Sequence, residues 1–453
     1  MEALAVVEAA DPRAQYASEF ATLEKEFYGS EPEWLRALRG SGLARFQKVG
    51  FPTLKDEAWK YTNVAPIAKQ HFLPAVRLQG DGVSLDRVRP ATFTQFEGSE
   101  IVFVNGRYAP KLSTLKDLPG GVRVGSLSKM IAWDPKAVEP YLGRFAKVDG
   151  TPFAALNTAF LQDGAFIEVP KGVAVKHPLH ILFVSTFHPQ PAVAHPRNLI
   201  LAHEGSSVTV TESYVGLDEG AYFTNAVTEA VVEDAARLDH YKLQRESEKA
   251  FHVATLQIHQ ERGSVVSDNS LSFGGGLVRN DLNAWFNGEG AELSLYGLYS
   301  THGTQHVDNH TLIDHAKPAC TSRELYKGIL DGRSRGIFYG NIVVHKDAQK
   351  TNAMQTNKNL LLSKDALADS IPGLQILAND VKCKHGSTTG QLDEGAIFYL
   401  RSRGLDHEAA RALLVYAFAR EVVDQVKVAS MHAVLSIQLA ARLPQPDAVK
   451  EAL

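Results

Sequence analysis

Cysteine is nearly absent: the 453 residues contain only Cys320 and Cys383. Two thiols in so long a chain exclude a disulfide framework and fit a reducing compartment. No strong excess of one charge is present either, since 47 basic residues stand against 51 acidic ones, a formal net charge of −4. That balance supplies no general attraction to nucleic acid or to an anionic membrane surface. Long apolar runs are missing as well. The most apolar stretch, ARALLVYAFAREVVDQV, is broken by Arg411, Arg420, Glu421 and Asp424, whereas a membrane span needs about 20 nearly uninterrupted apolar residues. The opening MEALAVVEAADPRAQ has no basic stretch before its short apolar run, so no secretory signal is expected. The expected location is cytoplasmic.

The 44% hydrophobic and 22% charged fractions are those of an ordinary globular protein. At this length two or three folding units are the prior, unless a repeat architecture extends one core lengthwise. Residues 1–164 read as mostly helical. Glu31 to Val49 carries Trp34, Leu35, Leu38, Leu43 and Phe46 at roughly helical spacing. Thr151-Pro152 is an N-cap followed by a first-turn proline. Between these, IVFVNGRY reads as a strand entering a turn at Asn105-Gly106.

From 165 to 400 the pattern becomes short alternating runs rich in Val, Ile, Thr and Tyr, such as HILFVST, SVTVTES and GIFYGNIVV. An acid followed by a small residue recurs at Glu204-Gly205, Asp234-Ala235, Glu289-Gly290, Asp331-Gly332, Asp347-Ala348 and Glu394-Gly395, with a looser form at Glu261-Arg262-Gly263. The steps from Gly205 to Ala235, Gly263 and Gly290 are about 28 residues each, a period typical of stacked repeats. Later the spacing turns irregular. A β-sandwich and a parallel β-helix both compete for such a stretch, and the recurrent turn favours the β-helix. In the final region, 401–453, Asp406 can cap a helix bearing Ala409, Leu413, Ala417, Val422 and Val426, and Ser430 can cap a second from Met431 to Leu443. The tail from Leu443 is expected to fray. Helical ends suit a solenoid, whose sheet edges need covering.

The sharpest chemical feature is VKCKHGSTTGQ, Val381 to Gln391. On a strand the one-residue gap places Cys383 and His385 on the same face. A thiolate and an imidazole are good ligands for iron or zinc, but two ligands do not close a metal site. The competing reading is a buried thiol beside a hydrogen-bonded histidine. His302, His306 and His310, four apart, with His315 and Cys320 beyond, read better as a polar ladder than as ligands. There is no G-x-x-x-x-G-K-[ST] phosphate loop, and so no ATP site of that kind. Phe273-Gly274-Gly275-Gly276 lacks the strand–helix context of a dinucleotide fingerprint. No G-x-S-x-G elbow and no H-E-x-x-H occur.

DEAWKYTNV (Asp56 to Val64), ILANDVKCKHGSTTGQLDEGAIFYLRSRG (Ile376 to Gly404) and the helix after it resemble, in this order, the SufD branch of the SufB/SufD family of iron–sulfur cluster assembly. No segment resembles the cysteine-bearing C-terminal segment of the SufB branch. The resemblance implies a right-handed parallel β-helix between helical regions, and a non-enzymatic scaffold role. It implies a SufB-like partner held through the β-helix and a SufC-like ATPase held through the C-terminal helical region. It also implies a transient iron–sulfur cluster shared with the partner, with His385 at its site and Cys383 as the neighbouring thiol. A flavin and a homodimer of the isolated chain stay open. A β-helix enzyme acting on polysaccharide, or a purely architectural solenoid, are the alternatives.

Overall fold

The computed structural model describes residues 11–29, 31–78 and 82–442. Its core is a parallel β-solenoid of about 8 turns. The strand Phe223–Val232 pairs in parallel with Arg197–Ala202 on one side and Phe251–Gln260 on the other, while the intervening Arg237–Arg245 belongs to the opposite sheet. Two sheets thus grow together, one strand per turn in each. The register advance runs from 26 residues, where Phe251 pairs with Leu277, to 33, where Phe166 pairs with Leu199. The sandwich alternative is excluded, because a sandwich is built of antiparallel strands.

The turns explain the period. Gly205, Ala235, Gly263 and Gly290 have positive φ, 55° to 68°. Each sits at one corner and donates its N–H to the next coil's corner: to the carbonyls of Asp234, Arg262, Glu289 and Pro318 respectively. Turn backbone that would otherwise lie unpaired is thereby satisfied. The same corner continues at Ala319, bonded to Gln349 O, and at Lys350, bonded to Asp380 O. The period does not decay after Gly290. The marker does, because these two corners place alanine and lysine in the left-handed conformation. Gly332 marks the opposite corner, stacked on Gly303. Glu394-Gly395 is no turn of the solenoid: it opens the helix Glu394–Ser402, capped by Asp393, so the last strand ends at Gly390, short of residue 400.

The N-terminal region packs on the first coils. Its strand Ser99–Val104 pairs with Leu179–Ser185 and extends one sheet, and Asn105-Gly106 turns it into Arg107–Tyr108. The helices Glu33–Val49 and Pro152–Phe160 meet at Gly42, where a Cβ would lie 2.7 Å from Ala155 O. Thr151 caps the second helix as expected. A buried carboxylate joins this region to the sheet. Glu229 accepts the N–H groups of Gly143, Phe145 and Ala146 and pairs with fully buried Arg197 at 2.6 Å.

The C-terminal helices do not cover the end of the solenoid, contrary to the expectation from its open edges. They lie along the outer face of one sheet, where Ala412, Val415, Tyr416, Ala419 and Val422 pack against Tyr241, Leu243, Leu271, Leu298 and Ile329. Asp406 caps His407–Val423 through Ala409 N–H. The last helix, Ala429–Ala441, starts without a side-chain cap, and Ser430 falls inside it. Its expected end at Leu443, and the tail beyond, lie outside the described residues.

Candidate functional site

Among the described residues both sheets end in strands with one neighbour only: Leu367–Ile376 pairs with Arg335–Val344, and Lys382–Gly390 with Asn352–Leu361. Their outer edges present unpaired backbone donors and acceptors, which a sheet normally protects. Leu367, Ile376 and Leu377 are exposed apolar residues at the same end.

Cys383 and His385 lie on the last strand, opposite Ala353 and Gln355. Ala353, Gln355, Asn357 and Asn359 alternate as the buried positions of their strand, so Cys383, His385, Ser387 and Thr389 continue the inward rows. What differs is cover. Among the described residues no further coil lies over them, so His385 is exposed and Cys383 is half-buried against the core. Burial pushes the Cys383 thiol up, opposed by the N–H of Ala353. Of the competing reading, a buried thiol beside a hydrogen-bonded histidine, the half-buried thiol fits in part, while the imidazole faces solvent at the mouth of the solenoid.

Behind the mouth the interior is polar. Gln355 Nε2 donates to Glu324 Oε2 at 2.8 Å, and Tyr299 and Asn357 bond Asn359. Burial pushes Glu324 up to about 7, against hydrogen bonds from Thr311 and Gln355. Deeper still, Glu212, His240, Lys242, Asp268 and Asn280 surround a cavity of about 30 Å³, room for about one water. Burial opposes the charge on His240, but hydrogen bonds to Asp268 and Glu212 prevail and hold it at about 10. Burial lowers Lys242 to about 8. Sequence reasoning missed this interior, since alternate polar residues on a strand read as its wet face.

The remaining histidines do not converge. His302 pairs with Glu248, His306 meets Thr62 Oγ1, and His310 stacks on Tyr339 at 4.7 Å. His315 is buried with Ser322. Cys320 is buried, directing its thiol at Gly288 O, two rungs before Cys383. Among the described residues no group of three or more His, Cys, Asp or Glu could hold a metal ion.

DEAWKYTNV is a clasp on the outer sheet face. Trp59 is buried under the Arg279 guanidinium, which donates to Ala58 O, Asp281 and Asp308. Thr62 donates to the same Asp308. The segment thus fastens the N-terminal region and supplies no group to the mouth.

A two-sheet parallel solenoid, with Cys383 and His385 on its last strand, defines a parallel β-helix class of protein. The comparisons are more specific. The model described as "SUF system FeS cluster assembly, SufBD core domain" matches residues 184–418, and "SufBD protein N-terminal region" matches residues 10–181. An iron–sulfur cluster assembly SufBD family protein of Synechocystis is 35% identical over 89% of this chain and 90% of its own length. Iron–sulfur cluster assembly protein SufD of Escherichia coli is 30% identical over 89% of this chain and 92% of its own. The chloroplastic protein ABCI7 of Arabidopsis thaliana is 32% identical over 86% and 82%. The chain belongs to the SufBD family of iron–sulfur cluster assembly proteins. Among the described residues no helix is long and apolar enough to cross a membrane.

Proposed function

We propose that this chain is the SufD-type, non-enzymatic scaffold subunit of a cytoplasmic assembly machine, and that the open end of its solenoid is where a cluster is built. A SufB-like solenoid adds its own last strands to the free edges of Lys382–Gly390 and Leu367–Ile376, pairing backbone with backbone. The cluster is cargo, held at the joint between the two subunits. His385 offers an imidazole nitrogen to it, the partner supplies the thiolates, and Cys383 is the secondary donor. Two donors on one chain call for completion from outside, since clusters are ordinarily held by four ligands. Without the partner, the same edges suit a homodimer of this chain.

A SufC-like ATPase docks on the C-terminal helical region. Phe398 and Tyr399 project from Glu394–Ser402 with 73% and 56% of their surface exposed, the kind of aromatic pair that anchors interfaces. The Synechocystis and Escherichia coli relatives are named as iron–sulfur cluster assembly proteins, which weighs against the polysaccharide-enzyme reading. The observation that carries the proposal is the inward-row yet solvent-exposed position of His385 on a last strand with one free edge. The direct test is cluster yield of the assembled complex with His385→Ala.

A further inference from the structure

Glu324, Gln355 and His385 occupy one inward row on three adjacent strands. Gln355 and Glu324 are buried. The 2.8 Å bond from Gln355 Nε2 to Glu324 Oε2 orients the amide, since the carboxylate accepts and the NH₂ donates. The amide oxygen, Gln355 Oε1, lies on the other side of the planar group, and it is buried with no hydrogen-bond partner among the described residues. Across the interior, Gly340 leaves the space this amide fills: a Cβ there would come within 2.3 Å of Gln355 Nε2. The next residue in the row is His385. Paired residues of neighbouring strands stand about 4.8 Å apart with side chains on the same face, so the exposed His385 ring need only turn inward to reach toward the orphaned oxygen.

We infer that Gln355 is a positioning residue for His385: its Oε1 accepts the hydrogen of one ring nitrogen, fixes the tautomer and turns the other nitrogen's lone pair out of the mouth. Glu324 holds the amide in that orientation. Ligating histidines usually have such an acceptor behind them, and removing it weakens the ligand about 10–100-fold. The use of the outward nitrogen rests on the proposed cluster role; the tautomer does not.

The experiment is long-range ¹H–¹⁵N NMR of the full chain labelled at histidine nitrogens, with His385→Ala assigning the signal. In the native chain the two His385 nitrogens should resolve as one protonated and one unprotonated. Gln355→Met, similar in volume without the acceptor, should average them in a chain that still folds, at a lowered Tm because Glu324 loses its donor. Glu324→Gln, whose carbonyl still accepts from Gln355, should keep them resolved. Averaged nitrogens in the native chain, or an unchanged pattern in folded Gln355→Met, would overturn the inference, and the first outcome needs no variant to fold. In the assembled complex, Gln355→Met should lower cluster yield about tenfold. Resolved nitrogens together with full cluster yield in His385→Ala would reject the ligand role while supporting the positioning.

Discussion

The Arg279 guanidinium lies 4.2 Å over the Trp59 ring, joining residues 220 positions apart in sequence. Trp59 is 4% exposed, so the DEAWKYTNV clasp is held by burial as well as by charge. Trp59→Ala removes a large buried ring and should cost about 3–5 kcal/mol. Denaturant unfolding of the full chain measures it. A loss under 1 kcal/mol would show that the clasp is not holding the N-terminal region.

The clasp also shows what the sequence concealed. The motif was visible at Asp56 to Val64, but nothing local points to Arg279, Asp281 and Asp308 as its seat. The solenoid was legible because Gly205, Gly263 and Gly290 mark a corner that favours glycine. It became illegible at Ala319 and Lys350, where inter-coil hydrogen bonds hold the same conformation without it. Cys383 and His385 stood out by spacing. The inward direction of their face came only with the register against Ala353 and Gln355, whereas the sharing of one face followed from strand periodicity. Their exposure did not, since it comes from the C-terminal helices lying along a sheet face instead of across the end. Gln355 and Glu324 gave no signal, because an inward polar row in a strand looks like an outward one.

Glu324 makes a prediction about pH. Burial raises its pKa from an ordinary 4.5 to about 7. Between these values the unfolded chain has released the proton and the folded chain still holds it, so stability falls as pH rises through this window and levels off above 7. The span corresponds to roughly 3 kcal/mol. Glu324→Gln, uncharged throughout, should gain on the native chain by roughly that amount between pH 4.5 and 7.5. Urea unfolding at several pH values reads it, and a pH-independent difference would refute it.

Lys327 is buried, donates to Phe418 O at 2.8 Å and pairs with Glu421. Burial lowers its pKa and the Glu421 pairing opposes this. It pins His407–Val423 to the sheet. Lys327→Met leaves a carbonyl short of its donor and should cost about 1–3 kcal/mol. Faster proteolysis within residues 407–423 is the expected sign. Cleavage at the native rate would count against the pin.

Phe398→Ala with Tyr399→Ala tests the ATPase surface. Both side chains are exposed, so the folded chain should keep its Tm within the small effect typical of surface changes. Binding to a SufC-like ATPase should weaken at least tenfold, about 1.4 kcal/mol, by calorimetry. Deleting residues 401–453 is a poorer test, because it uncovers Tyr241, Leu243, Leu271 and Leu298. Native affinity in the double variant would move the ATPase site elsewhere.

The central claim is that His385 ligates the cluster at the open end. His385 is exposed, so His385→Ala should change stability by no more than about 0.5 kcal/mol and leave the partner complex intact. Iron and acid-labile sulfide per complex, measured after anaerobic assembly on the same preparation, decide the matter. The expected outcome is a complex of normal composition and normal Tm that has lost most of its cluster. A His385→Ala complex carrying the full complement of iron and sulfide would contradict it.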